Sequence, residues 1–183
     1  MSAALRLGFH CGTGTVSTLI RWQTRAGSLC PYSHVSVVLP DGRLLEAYQG
    51  EGLKLLRMNG TVRATRTLAQ VQAREQVDVA TIPMSVAQLH RALAFAHDQL
   101  GKGYDYLSVA RFVSRRDESR ASSGRWFCSE FAFEVAMQGG VALFERTRGW
   151  EVAPEMLARS PLLFFGAADP ILSVPDTPTL RGV

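Results

Sequence analysis

Cysteine is scarce in this sequence, and its few copies lie far apart. The chain of 183 residues has three cysteines: Cys11, Cys30 and Cys128. Their odd number and wide spacing exclude a disulfide framework of the kind that stabilises small secreted proteins, and no CxxC pair is present to bind a metal. The sequence therefore predicts a protein of a reducing compartment, with a core large enough to hold the fold without covalent links.

Long apolar runs are also missing. The N-terminal residues lack the apolar stretch of a signal peptide. The longest apolar run near the other end, residues 161–171, is too short to cross a bilayer and contains Asp169-Pro170. We therefore expect a chain that has no transmembrane segment and is cytoplasmic as synthesised.

Neither sign of charge is in large excess. The 20 Lys and Arg residues exceed the 16 Asp and Glu residues by a formal charge of +4, and acidic residues interrupt the densest arginine cluster, at 111–120. This balance allows only weak contact with a membrane surface. Because no nucleic-acid-binding motif accompanies the charge, we expect no nucleic-acid partner.

The remaining composition, with 46% hydrophobic and 20% charged residues, is typical of a globular protein. We expect one domain over residues 1–168 and a proline-containing tail over 169–183. The residue patterns predict an α+β fold. Strands are expected within 5–14 and over 34–39, 43–48, 62–67 and 77–82, the last two within a run of strands and polar turns across 51–82. Helices are expected over 15–25, over 85–100 and from Cys128 to Gly139-Gly140. A short turn is expected at Pro154.

Cys128 is the strongest candidate for a nucleophile. It stands between the aromatic pair Trp126-Phe127 and a helical run that begins with Ser129-Glu130. A cysteine at a helix N-terminus lies beside free N–H groups and the positive end of the helix dipole, which favour a thiolate and can also stabilise an oxyanion. The alternative from this segment alone is a buried, inert core cysteine.

His34 is the candidate base, and Glu46 its partner. The turn Pro40-Asp41-Gly42 predicts a hairpin with a three-residue loop, in which paired residue numbers sum to 82. His34 and Glu46 are then diagonal neighbours on one face, close enough for the carboxylate to fix the imidazole tautomer. A two-residue turn would point Glu46 away, and a solvent-facing His–Glu pair is the structural alternative.

Five segments of the sequence resemble the permuted NlpC/P60 group of papain-like proteins, the branch that contains the YiiX- and YaeF-type bacterial proteins. In this branch the histidine strand precedes the cysteine helix, as His34 precedes Cys128 here. The segments are Ser-His-Val-Ser-Val-Val (33–38), Asp-Gly-Arg-Leu-Leu-Glu-Ala (41–47), Gly-Lys-Gly-Tyr-Asp-Tyr (101–106), Trp-Phe-Cys-Ser-Glu-Phe (126–131) and Ala-Pro-Glu-Met-Leu (153–157).

The resemblance implies a papain-like fold, with an antiparallel sheet or small barrel packed against helices. It implies Cys128 as nucleophile, His34 as general base, Glu46 as the residue that orients His34, and Tyr104 as a residue lining the oxyanion side. The implied activity is cleavage of an amide bond, commonly in a cell-wall peptide, by a cysteine peptidase or amidase without cofactor or metal.

Other interpretations remain open at this stage. The same trio could serve a lipid-directed or N-acyl-directed hydrolase or acyltransferase, or the chain could be an inactive papain-like structural or phage component. Delivery by a phage would reconcile a cell-wall substrate with the lack of a signal peptide. Cys11, beside His10, is the rival nucleophile, whereas His90 and His97 are expected to be partly exposed residues of a helix rather than metal ligands.

Overall fold

The computed structural model describes residues 2–11, 32–48, 60–105 and 125–166. Several predicted features lie outside these residues. They are the helix over 15–25, Cys30, the residues between 49 and 59, the charged loop over 114–124 and the tail over 169–183.

The described strands form one curled, mixed sheet in an α+β fold. Its eight strands lie in the order β7-β6-β4-β3-β2-β1-β5-β8, and all neighbours are antiparallel except β6 and β7. The strands are β1 (Ser2–His10), β2 (His34–Val38), β3 (Arg43–Tyr48), β4 (Thr61–Thr67), β5 (Val77–Ser85), β6 (Gly103–Tyr104), β7 (Arg125–Trp126) and β8 (Phe164–Phe165).

The β2–β3 hairpin has the predicted three-residue turn. The N–H of Leu39 donates to the carbonyl of Arg43 at 2.8 Å, and that of Gly42 donates to Leu39 at 2.9 Å. Gly42 has φ +80°, a conformation that glycine adopts without steric cost. Val37 pairs with Leu45 and Val38 with Leu44, so the predicted register is confirmed.

Four helices lie in the described residues: α1 (Leu68–Gln72), α2 (Val86–Asp98), α3 (Cys128–Gln138) and α4 (Pro154–Ala158). The predicted start of α2 is confirmed, because the Ser85 hydroxyl accepts from Gln88 N–H and the Gln88 side chain accepts from Ser85 N–H. Within these residues, no helix is long and apolar enough to cross a membrane.

The hydrophobic core lies between the sheet and the pair α2 and α3. Its largest fully buried side chains include Phe9, Phe127, Phe131 and Phe133. Truncating one such phenylalanine to alanine costs about 3–5 kcal/mol. This core fixes α3 against the sheet and thereby fixes the position of its first residue.

Two segments differ from the sequence expectation. Residues 68–72, expected within a run of strands and turns, form helix α1, because Thr67 and Gln70 make a reciprocal capping box that starts a helical turn. Strand β5 continues through Pro83 to Ser85. The proline is tolerated because β8 pairs only with Ala80 and Thr81 of β5.

Candidate active site

Cys128 is the first residue of α3 and is 1% exposed. Phe127 occupies the N-cap with extended backbone and has no side-chain oxygen to cap the helix. The next residue, Ser129, donates from its hydroxyl to the carbonyl of Val152 and ties the start of α3 to the segment between α3 and α4. The predicted location of Cys128 at a helix N-terminus is confirmed.

His34 is the first residue of β2 and approaches both Cys128 and Glu46. Its Nε2 lies 2.9 Å from Oε2 of Glu46, and the Cys128 side chain lies near enough to the ring to raise its pKa. Since Nε2 is engaged by the carboxylate, Nδ1 is the nitrogen left for the sulfur. The structure therefore brings three of the four predicted site residues together, with His34 between Glu46 and Cys128.

Glu46 is completely buried and is neutralised by two partners. Besides His34, it accepts a two-pronged hydrogen bond from Arg66, with Nε at 2.9 Å from Oε1 and Nη2 at 2.8 Å from Oε2. Burial alone would raise the pKa of Glu46, but the bonds from His34 and Arg66 outweigh it and lower the pKa to about 2. The carboxylate is therefore charged across the neutral range.

The charges of its neighbours hold a proton on His34. Burial acts to lower the pKa of His34, but the charge of Cys128 and its hydrogen bond, together with those of Glu46, raise this pKa to about 10. The imidazole is thus poised as an imidazolium between a sulfur and a carboxylate. The ring is therefore in a position to exchange a proton with the sulfur.

Arg66 is a site residue that the sequence did not reveal. It follows a bulge in the β3–β4 pairing: Leu44 pairs with Arg66, but Glu46 pairs with Arg63. Because Arg66 lies opposite Leu44, it is a diagonal neighbour of Glu46 on the same face, but the sequence analysis did not assign the pairing of β3 with β4. A signal was nevertheless present, because a carboxylate buried in a sheet requires a cationic partner.

His10 is the second residue that the sequence analysis left without a role. It is the last residue of β1, pairs directly with His34, and is 1% exposed. The two ring centroids are 5.0 Å apart, with the planes inclined at 63°. Its place beside His34 follows from the β1–β2 pairing, which joins segments separated by more than twenty residues.

Three of these side chains carry donor atoms suited to a metal. Ligand atoms of His10, His34 and Glu46 lie within 4.8 Å of one another, and two histidines with a carboxylate form a familiar zinc set. Each side chain already has protein partners, however, and Arg66 places a positive charge on the carboxylate. The donor atoms therefore fit a hydrogen-bonded network better than a metal centre.

Tyr104, the fourth predicted site residue, lies next to the site through Phe127. It is buried in β6, and its ring centroid is 6.1 Å from that of Phe127, the residue before Cys128. Its N–H donates to the carbonyl of Gly60 at 2.8 Å, which fixes the strand.

The rival residues have other surroundings. Cys11 is partly exposed beyond the end of β1, and its N–H donates to the carbonyl of Gln76. His90 and His97 lie on the exposed side of α2, as expected. In the described part of the chain, neither of these histidines belongs to a cluster of metal-binding side chains.

Comparison with known proteins adds no assignment. No protein-family model matches the sequence, and no curated protein matches it either. The functional interpretation therefore depends on the geometry around Cys128 and on the chemistry of the side chains there.

Proposed function

We propose that this protein is a cysteine hydrolase with papain-like chemistry, a circularly permuted relative of the NlpC/P60 group, and that it cleaves amide bonds. One observation carries the proposal: Cys128, at a helix N-terminus, lies beside His34, whose ring hydrogen-bonds the buried carboxylate of Glu46. A thiol, an imidazole and a carboxylate placed in this order are the groups that a thiol hydrolase uses as nucleophile, base and orienting residue.

The first half-reaction is acylation. The Cys128 thiolate attacks the carbonyl carbon of the amide, and the electron pair of the C=O bond moves onto oxygen. When this tetrahedral intermediate collapses, the C–N bond breaks and His34 gives its proton to the departing nitrogen. A free amine leaves, and the acyl group stays on Cys128 as a thioester.

Deacylation returns the enzyme to its starting state. His34, now neutral, takes a proton from water while the water oxygen attacks the thioester carbonyl. The C–S bond breaks, the carboxylic acid leaves, and the imidazolium–thiolate pair is restored. The sum is one amide and one water converted to one acid and one amine.

The oxyanion of both intermediates is stabilised at the start of α3. The first N–H groups of a helix have no intrahelical acceptor, and the helix dipole adds positive potential there. Because the N-cap residue Phe127 has no side-chain oxygen, it does not occupy these donors. In the proposal, Tyr104 lines the same side through its packing on Phe127.

The substrate class follows from the resemblance of the five segments around His34 and Cys128. We propose a peptide amide, and in particular a peptidoglycan peptide, as the substrate. Phospholipids and N-acyl amines are the competing acyl donors for the same three residues. A chain that serves only as a structural component would turn over neither class.

The test compares Cys128→Ala with a matched cysteine variant, Cys11→Ala. Each protein is incubated with peptidoglycan fragments, phospholipids and N-acyl amines, and the products are identified by mass spectrometry. We expect wild type and C11A to release free amines from peptidoglycan peptides and C128A to release none. Turnover that survives in C128A, or is lost in C11A alone, would overturn the assignment.

Iodoacetamide labelling supplies a second readout that needs no substrate. We expect the label to map mainly to Cys128 in the wild-type protein at neutral pH. Labelling of Cys11 that spares Cys128 would contradict the proposal. A folded protein whose thiols all react slowly would instead favour a structural role.

A further inference from the structure

His10 has an unusual environment for a residue outside the proposed chain of Cys128, His34 and Glu46. It is buried against His34, and both of its ring nitrogens have side-chain partners. Burying an imidazole is costly unless its nitrogens are hydrogen-bonded. The two partners therefore allow a histidine to stand at this position.

The partners come from different parts of the fold. Nδ1 of His10 lies 3.1 Å from Oε1 of Glu75, in the turn after α1, and Nε2 lies 2.8 Å from the hydroxyl of Ser36 in β2. A carboxylate can only accept, so Nδ1 carries the proton and donates to Glu75. In the neutral ring, Nε2 then accepts from Ser36, and the ring has one fixed orientation.

Gly8 provides the space for this arrangement. It pairs with Ser36 across β1 and β2, and a Cβ at Gly8 would lie 2.8 Å from the Ser36 hydroxyl oxygen. The same Cβ would be 3.6 Å from Nε2 of His10. A side chain at this position would therefore displace the hydrogen bond between Ser36 and His10.

We propose that His10 is a positioning residue: its neutral ring, fixed by Ser36 and Glu75, holds the His34 ring in place between Glu46 and Cys128, and protonation of His10 releases it. This inference rests on the proposed function, because it assigns His10 a role through His34. His10 itself touches neither substrate nor sulfur in this scheme.

The charges around His10 determine when it gains a proton. It faces His34 from β2, Glu46 from β3 and Glu75 from the turn after α1, while Arg66 from β4 neutralises Glu46. Burial lowers the pKa of His10, the hydrogen bond to Glu75 opposes this, and the charge of His34 lowers the pKa further. The ring is therefore neutral at neutral pH.

Protonation reverses the bond to Ser36. Nε2 of His10 becomes a donor to the Ser36 oxygen, so the Ser36 hydroxyl must turn to the carbonyl of Gly8, which is 3.5 Å away. The new cation lies beside the imidazolium of His34, and like charges at this separation repel strongly in a partly buried site. The His34 ring then moves away from Cys128.

The experiment measures the rate of Cys128 alkylation by iodoacetamide as a function of pH, with the label located by peptide mapping. In His10→Gln the titrating group is absent. We therefore expect the acid limb, the pH range in which the alkylation rate falls on acidification, to lie about one pH unit lower than in wild type. The rate at neutral pH is expected to fall about 10-fold because His34 is less well placed. The exposed His97→Gln serves as control and is expected to match wild type.

Glu75→Gln provides a second variant that keeps an acceptor for Nδ1 of His10. Removing the negative charge disfavours protonated His10, so the acid limb is again expected at lower pH. If H10Q does not fold, the measurement is made on E75Q alone. Acid limbs that coincide with wild type in the folded variants would overturn the role of His10, whereas a wild-type Cys128 that is not alkylated would overturn the proposed function itself.

Discussion

Oε2 of Glu46 and Nε2 of His34 lie 2.9 Å apart, joined across the β2–β3 hairpin. A three-residue turn at 40–42 sets the register that puts both side chains on one face of the sheet. Shortening that turn by one residue would send Glu46 to the other face. The contact between His34 and Glu46 thus depends on the length of the turn at 40–42.

Replacing Glu46 with Gln is expected to move the alkaline limb of activity to lower pH. The carboxylate contributes to the raised pKa of His34, so its loss lets the imidazolium deprotonate earlier. We expect kcat/KM at neutral pH to fall about 10²-fold or more, because the ring also loses its fixed tautomer. Asp41→Asn, an exposed carboxylate in the turn, is the control and is expected to leave the profile unchanged. Identical alkaline limbs in E46Q and wild type would count against Glu46 as the orienting acid.

Arg66→Met is expected to destabilise the protein by about 2–4 kcal/mol, because it leaves a buried carboxylate with one partner fewer. The measurement is urea unfolding at neutral pH. Arg43→Met removes a comparable pair with Asp41, in which both side chains are about half exposed, and is expected to cost less than about 1 kcal/mol. Equal losses in the two variants would show that Glu46 does not depend on Arg66.

The His34–Glu46 pair predicts a specific dependence of stability on pH. The pKa of Glu46 is lowered from 4.5 to about 2, so its contribution is present above pH 4.5 and is lost as the pH falls through 2. The pKa of His34 is raised from 6.5 to about 10, so its contribution is complete below pH 6.5 and is lost as the pH rises through 10. We expect the difference in unfolding free energy between wild type and E46Q to be largest between these limits. A difference that is constant from pH 2 to 10 would contradict the two shifts.

Gly8→Ala is expected to destabilise the fold by about 1–3 kcal/mol, because the added methyl group collides with the Ser36 hydroxyl inside the sheet. Gly103→Ala is the matched control in another strand, since the nearest atoms to a Cβ there belong to the flexible Arg125 side chain, the first at 3.4 Å. Thermal or urea unfolding distinguishes the two. A larger loss in G103A than in G8A would mean that the space around Ser36 is not tightly filled.

The parts of the fold that the sequence could predict are those encoded locally. Hairpin β2–β3 follows from the chemistry of its turn, and the starts of α2 and α3 follow from Ser85 and from the helical run after Phe127. The hairpin register alone was enough to predict that His34 and Glu46 lie together. Each of these features depends on residues that lie close together in the chain.

The remainder depends on contacts between distant segments. His10 meets His34 through the β1–β2 pairing, and Arg66 meets Glu46 across a bulge between β3 and β4. The two-residue strands β6, β7 and β8 are too short to show any periodicity. Helix α1 has a capping box but only five residues, so its pattern is not distinguishable from that of a strand and turn.

The most direct test of the central claim is the pKa of His34, measured by NMR titration of the imidazole in wild type and in Cys128→Ala. The proposed imidazolium–thiolate pair requires a pKa raised well above 6.5, toward about 10, in the wild-type protein. It also requires this pKa to fall in C128A, because the charge and hydrogen bond of the sulfur are removed. Equal pKa values in the two proteins would show that His34 is not coupled to Cys128 and would contradict the account.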